Sequence, residues 1–200
     1  MNNIDHRLEQ KIGFDRIRRI ISDRCSTEYA SERTAAETFS TNAATIRKRL
    51  LLTDEMRLIM MFEDSFPSGG FIDCIDFLKP LERSSSAIDL VSLRKLRTML
   101  DTLRKVTSFF EGIKDGVYPN LKRMSSNVLS FPQIQRKIDT IVDRYGDIKD
   151  TASDTLYDIR KSLHEKEGAI SRRMSAILKK AQEEGIVDGD AGVSIRDGKM

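Results

Sequence analysis

From Asp154 to Glu184 the chain has no proline, and Leu156, Ile159, Leu163, Ile170, Met174, Ile177 and Ala181 recur alternately at three and four residues. One gap falls at Lys166, Glu167 and Gly168. Such spacing gathers two apolar residues per heptad on one face, a coiled-coil-type seam rather than the broader stripe of a helix buried in a bundle. At 1.5 Å per residue this helix reaches roughly 45 Å, so the pattern predicts a projecting arm. Beyond it, Val193-Ser194-Ile195-Arg196 reads as a short strand and Asp197-Gly198 as a hairpin turn, followed only by Lys199 and Met200. A long helix feeding a hairpin without its return strand is expected of a segment cut from a larger protein.

Upstream the pattern is also helical, in shorter segments. Phe14, Ile17, Ile20 and Ile21 share a helix face, with Asp15 where the backbone dipole favours negative charge. Ser26-Thr27-Glu28 predicts a cap and a second helix to about Phe39. A third runs from Thr41-Asn42 to about Asp64, with Ile46, Leu50, Met56, Ile59 and Met60 apolar. Phe66-Pro67-Ser68-Gly69-Gly70 breaks the chain. A short helix around Cys74 to Arg83 follows, interrupted by Pro80, then a loop at Ser84-Ser85-Ser86. Asp89 predicts the N-cap of a strong helix through Leu93, Leu96, Leu100, Leu103 and Phe110. Shorter helices are expected over Tyr118 to Met124 and Gln133 to Arg144, then a polar turn at Gly146 to Asp150. The fold class is all-α: a helical core over residues 1–150, a long helix over 151–186 and the start of a truncated hairpin over 187–200.

Composition agrees with that picture. Hydrophobic residues make up 39% and charged residues 32%, with no Trp, which suits solvent-washed amphipathic helices better than a β-sandwich. The net charge of +3 is too small to argue nucleic-acid binding by itself. Arg16/Arg18/Arg19, Arg47/Lys48/Arg49 and Arg94/Lys95/Arg97 lie near acidic residues and read as solvated helix faces. No apolar run is long enough to cross a bilayer; the best, Leu50 to Phe62, is broken by Asp54, Glu55 and Arg57. With two cysteines at no metal spacing and no apolar leader, the expectation is a cytoplasmic chain with reduced thiols.

Catalytic chemistry is hard to find. There is no Gly-x-x-x-x-Gly-Lys-Ser/Thr phosphate loop. His164 beside Glu165 and Glu167 reads as an ordinary exposed residue on a charged helix, and His6 lies near the terminus. Cys25 follows a helix end whose dipole disfavours a thiolate, and Cys74 among Ile72, Ile75 and Phe77 reads as a core residue. No catalytic, cofactor or metal residue is therefore assigned, and the segment itself is expected not to be an enzyme. Arg172, Arg173, Lys179 and Lys180, on the distal half of the long helix, are the candidate contacts to a phosphate backbone. The same four side chains would equally serve to solubilise an exposed arm.

The order of signals resembles a known family. Leu8-Glu9 with Phe14-Asp15-Arg16-Ile17, then Gly69-Gly70-Phe71-Ile72-Asp73 with Leu78-Lys79-Pro80-Leu81, are similar to the MutS-family branch that lacks the mismatch-reading domain. So are Asp150-Thr151-Ala152-Ser153 with Leu156 and Ile159-Arg160, and Ile195-Arg196-Asp197-Gly198-Lys199. Asp154 stands where that branch more often has proline; Asp also starts helices well. The resemblance implies a DNA-binding ATPase with core and lever, clamp, ABC-type ATPase and usually a C-terminal Smr endonuclease domain, and with ATP and Mg as the parent's cofactors. It implies roles in DNA repair, in suppressing recombination on branched DNA and, in some bacteria, on stalled ribosomes. The part implied here is a non-catalytic core and lever that relays ATPase state to a nucleic-acid clamp. The seam of Leu156, Ile159, Leu163, Ile170, Met174 and Ile177 would then pack on a returning lever helix or, without it, pair as a homodimer. The competing reading is a helical adaptor whose long helix is a partner-binding coiled coil.

Overall fold

The computed structural model describes residues 3–83 and 86–192. The hairpin expected over 193–200 lies outside the described residues. Nine α-helices occur among the described residues, and the only β pairing among them is one isolated antiparallel bridge. The all-α expectation is met. The chain divides into two compact units, with the boundary between Asp139 and Thr140.

The first unit begins with α1 (Asn3–Ile12), α2 (Phe14–Ser22) and α3 (Glu28–Ala35). The first of these was not expected from the hydrophobic pattern. Gly13 sits at φ 75, a left-handed conformation that separates α1 from α2 with little strain. Arg18 Nη2 lies 2.8 Å from Glu9 Oε2 across that break, and Arg18 also stacks 4.8 Å over the Phe14 ring. Ser22 and Ser31 hydroxyls meet at 2.6 Å and join α2 to α3. Thr27 caps α3 by accepting from the Ala30 N–H. That helix ends at Ala35, four residues short of the expected Phe39, because the chain past Ala36 turns extended before Asn42 caps the next helix.

The core is built by α4 (Ala43–Phe62), α6 (Leu90–Gly112) and α7 (Pro119–Ser125). Ile59, Phe110, Tyr118 and Leu121 are buried at its centre, flanked by Leu52, Met56, Val106, Phe109 and Ile113. Phe66, Phe109 and Phe110 meet edge to face, with centroids 5.1–6.1 Å apart, the geometry favoured by the ring quadrupoles. Glu55 is only 7% exposed. Its carboxylate accepts from the Asn120 N–H, the Leu121 N–H and Asn120 Nδ2, at 2.7–3.1 Å. It thus caps α7 from a different helix, satisfying amides that a helix start leaves free.

Between α4 and α6 lie α5 (Ile75–Leu78) and a 3-10 turn, Lys79–Glu82, that contains Pro80. Gly70 explains the glycine pair ahead of them. It has φ 81, and a Cβ there would lie 2.3 Å from Thr102 Oγ1. Thr102 is buried and donates its hydroxyl to the Gly70 carbonyl. Only glycine allows α6 to approach this backbone so closely.

α8 (Pro132–Ile141) stops three residues before the expected Arg144. The chain there leaves the helical ladder because Val142 pairs with Ile148, and Lys149 N–H bonds the Ile141 carbonyl. The second unit contains this turn, a 3-10 segment at Asp150–Ala152 and α9 (Asp154–Glu183).

Candidate functional site

The features that bear on function converge on α9 and on the turn that leads into it. α9 starts where Ser153 Oγ accepts from the Leu156 N–H at 3.2 Å and Asp154 places negative charge in the first turn. It then runs for 30 residues without a break, straight through Gly168. The apolar seam is exposed: Ile159 is 59% accessible, Leu163 55%, Ile170 51% and Ile177 60%, while Leu156 and Met174 are half-buried. With 3.6 residues per turn, Gly168 falls about 150° away from the seam, and Lys166 and Glu167 flank the apolar face instead.

The four cationic candidates are all exposed. Arg172 and Lys179 are seven residues apart, as are Arg173 and Lys180. They form two rows, the second about 75° around from the seam and the first about 175° around. Lys179 and Lys180 face Glu183 and Glu184 at 3.8 and 3.6 Å, loose water-washed pairs. Arg172 and Arg173 make no ion pair or side-chain hydrogen bond among the described residues. The cations thus lie on two faces of one helix, one row beside the apolar seam and the other nearly opposite it. His164 is exposed on the same helix.

The turn ahead of α9 is locked by a carboxylate. Asp143 Oδ1 accepts from the Tyr145 and Asp147 N–H groups, both at 2.8 Å, and Gly146 completes the reversal at φ 92. The Asp147 N–H and its neighbours hold the Asp143 carboxyl below its ordinary value of 3.8. A depressed carboxylate stabilises the fold above its unfolded pKa, and that contribution is lost as pH falls through the folded value. Acidification below pH 3.8 should therefore release the Tyr145 and Asp147 amides, seen as a joint shift of their NMR resonances with a midpoint below that value. A midpoint at or above it would contradict the hydrogen bonding described.

One side chain then joins the turn to the helix. Arg160 Nη1 donates to the Ile148 carbonyl at 3.1 Å and pairs with the Asp150 carboxylate. Asp150 and Arg160 both stand in the segment that resembles the MutS family, yet the sequence offered no sign that they meet. Glu55 was likewise missed, although a signal existed: Leu52, Glu55, Met56 and Ile59 share one face, so a carboxylate sits on the core stripe of α4.

For chemistry, the arrangement offers an exposed apolar face and exposed charge. Among the described residues no group of three His, Cys, Asp or Glu is placed to hold a metal, and no helix is long and apolar enough to cross a membrane. Cys74 is buried, and burial pushes its thiol up from the ordinary value of 9.0, with Asp73 adding to the effect, so it is a poor nucleophile.

No protein-family model matches the chain. Curated relatives do. Over 191 residues it is 28% identical to endonuclease MutS2 of Thermomicrobium roseum, covering 93% of this chain and 23% of that protein. It is 24% identical to the MutS2 endonucleases of Alkaliphilus oremlandii, over 86% of this chain, and of Listeria welshimeri, over 97%. The chain spans 22–25% of the length of these relatives. The family resemblance carried by the glycine pair, the Asp150-Thr151-Ala152-Ser153 turn and the long helix is thus matched by relatives of that family: over nearly its whole length, this chain is similar to about a quarter of a MutS2 endonuclease.

Proposed function

We propose that this chain is the core and lever segment of a MutS-like DNA-binding ATPase, with residues 1–150 as core, 151–186 as lever and 187–200 leading toward a clamp. The observation that carries the reading is a 30-residue helix with an exposed apolar seam in a chain that aligns with one quarter of MutS2 endonucleases. An apolar seam in water is incomplete packing, and a returning lever helix of the parent would complete it. The segment itself performs no catalysis. The parent's ATPase domain binds ATP and Mg, and its endonuclease domain cuts. The lever transmits the nucleotide state to the clamp because its two ends favour different arrangements of the same rigid helix. The parent acts in DNA repair by suppressing recombination, and on stalled ribosomes.

Hydrogen exchange on the whole protein tests this. With DNA bound, protection of the Leu163 to Ile177 amides should differ between an ATP analogue and ADP. Identical exchange in every nucleotide state would refute the relay. In the same protein, Arg172→Glu with Arg173→Glu should weaken DNA binding uniformly across sequences. It should also lower the salt dependence by about one power of salt concentration for each phosphate no longer neutralised. Unchanged affinity and salt slope would remove Arg172 and Arg173 from the interface.

A further inference from the structure

We infer that Arg160 is the positioning residue of the long helix: its guanidinium, held between the Ile148 carbonyl and the Asp150 carboxylate, fixes the direction in which α9 leaves the turn, and release of that contact lets the arm swing. Three rigid pieces meet here. They are the turn closed by the Val142–Ile148 pairing, the 3-10 segment Asp150–Ala152, and α9. They are joined by two single extended residues, Lys149 at φ −60, ψ 144 and Ser153 at φ −152, ψ 156. A lone extended residue between rigid elements is where a small torsional change produces a large swing.

Arg160 spans both joints, because Ile148 precedes Lys149, Asp150 lies between the joints and Arg160 follows Ser153. Each bond alone would restrain one piece. Together they restrain the 3-10 segment and α9 against the same turn. The Arg160 and Asp150 side chains are well exposed, so water and salt compete for the pair and the contact can open without unfolding the turn, which Asp143 holds independently. Both contacts come from one guanidinium nitrogen, Nη1, which donates to the two acceptors; lysine would bring a point charge on a flexible stem, which holds the two acceptors less firmly. That the arm is a lever rests on the proposed function; that Arg160 sets its direction does not.

Spin labels at Tyr145→Cys and Glu165→Cys, in a Cys25→Ser, Cys74→Ala background of this chain, measure the direction. Wild type at low salt should give one narrow distance distribution. Arg160→Ala should broaden it at least twofold, Arg160→Lys should fall between, and 1 M salt should broaden wild type toward the alanine variant. Asp150→Asn, which lies outside α9, gives the same reading should Arg160→Ala lower helix content. Distributions for Arg160→Ala or Asp150→Asn that match wild type would overturn the inference. Broadening in this chain, with nucleotide-dependent exchange of α9 in the whole protein unchanged by Arg160→Ala, would instead count against the lever reading.

Discussion

Replacing Glu55 by alanine is expected to destabilise the α4–α6–α7 core by about 2–4 kcal/mol, since hydrogen bonds to a charged group contribute ~1.5–3 kcal/mol and orphaned buried donors cost more. The substitution removes the acceptor for the Asn120 and Leu121 N–H groups and for Asn120 Nδ2. It also leaves the buried Leu121 N–H without its acceptor. Glu55→Gln should cost less, because one oxygen still accepts, although its amide must turn a donor toward other donors. Urea denaturation read as a shift in midpoint at constant slope decides the matter. An alanine variant within about 0.5 kcal/mol of wild type, the range of an ordinary surface change, would show that α7 does not depend on this cap.

Leu163→Asp and Ile170→Asp should abolish self-association of this chain through α9, the second large effect. Burying the exposed parts of six seam residues on both copies of a two-fold pair would gain on the order of 10 kcal/mol before costs. Association itself costs about 4–15 kcal/mol. The balance predicts a weak, concentration-dependent dimer, made weaker by Lys166 and Glu167 beside the seam. Two carboxylates brought into the middle of such a seam have no partner there, so each aspartate variant should sediment as a monomer at every concentration. Wild type sedimenting as the variants do, up to high concentration, would mean that a second copy of this chain does not cover the seam.

Both effects arise from positions that local pattern treats differently. The seam of α9 was legible because it is periodic: an unbroken helix displays its three-and-four spacing whether or not anything packs on it. For the same reason the long helix, read as Asp154 to Glu184, was placed to within a residue of its observed ends. The caps at Thr27 and Asp89 were equally plain, since a cap bonds an amide only three residues ahead.

What the amino-acid order determined by itself was therefore the all-α class, the long helix, the break at Gly69-Gly70 and the likeness to the MutS family. The first three are encoded in residues near one another along the chain, and the likeness in the order of short motifs from Leu8 to Lys199. What only the tertiary structure decided depends on residues far apart. Glu55 meets Asn120 and Leu121 across more than sixty positions, and Thr102 meets the Gly70 carbonyl across thirty-two. Arg160 reaches back over two joints to Ile148 and Asp150. The early end of α8 is a more local event, since α8 stops where Val142 pairs with nearby Ile148. A helix signal reports what a segment prefers, whereas its end and its buried polar contacts depend on which groups arrive to satisfy its backbone.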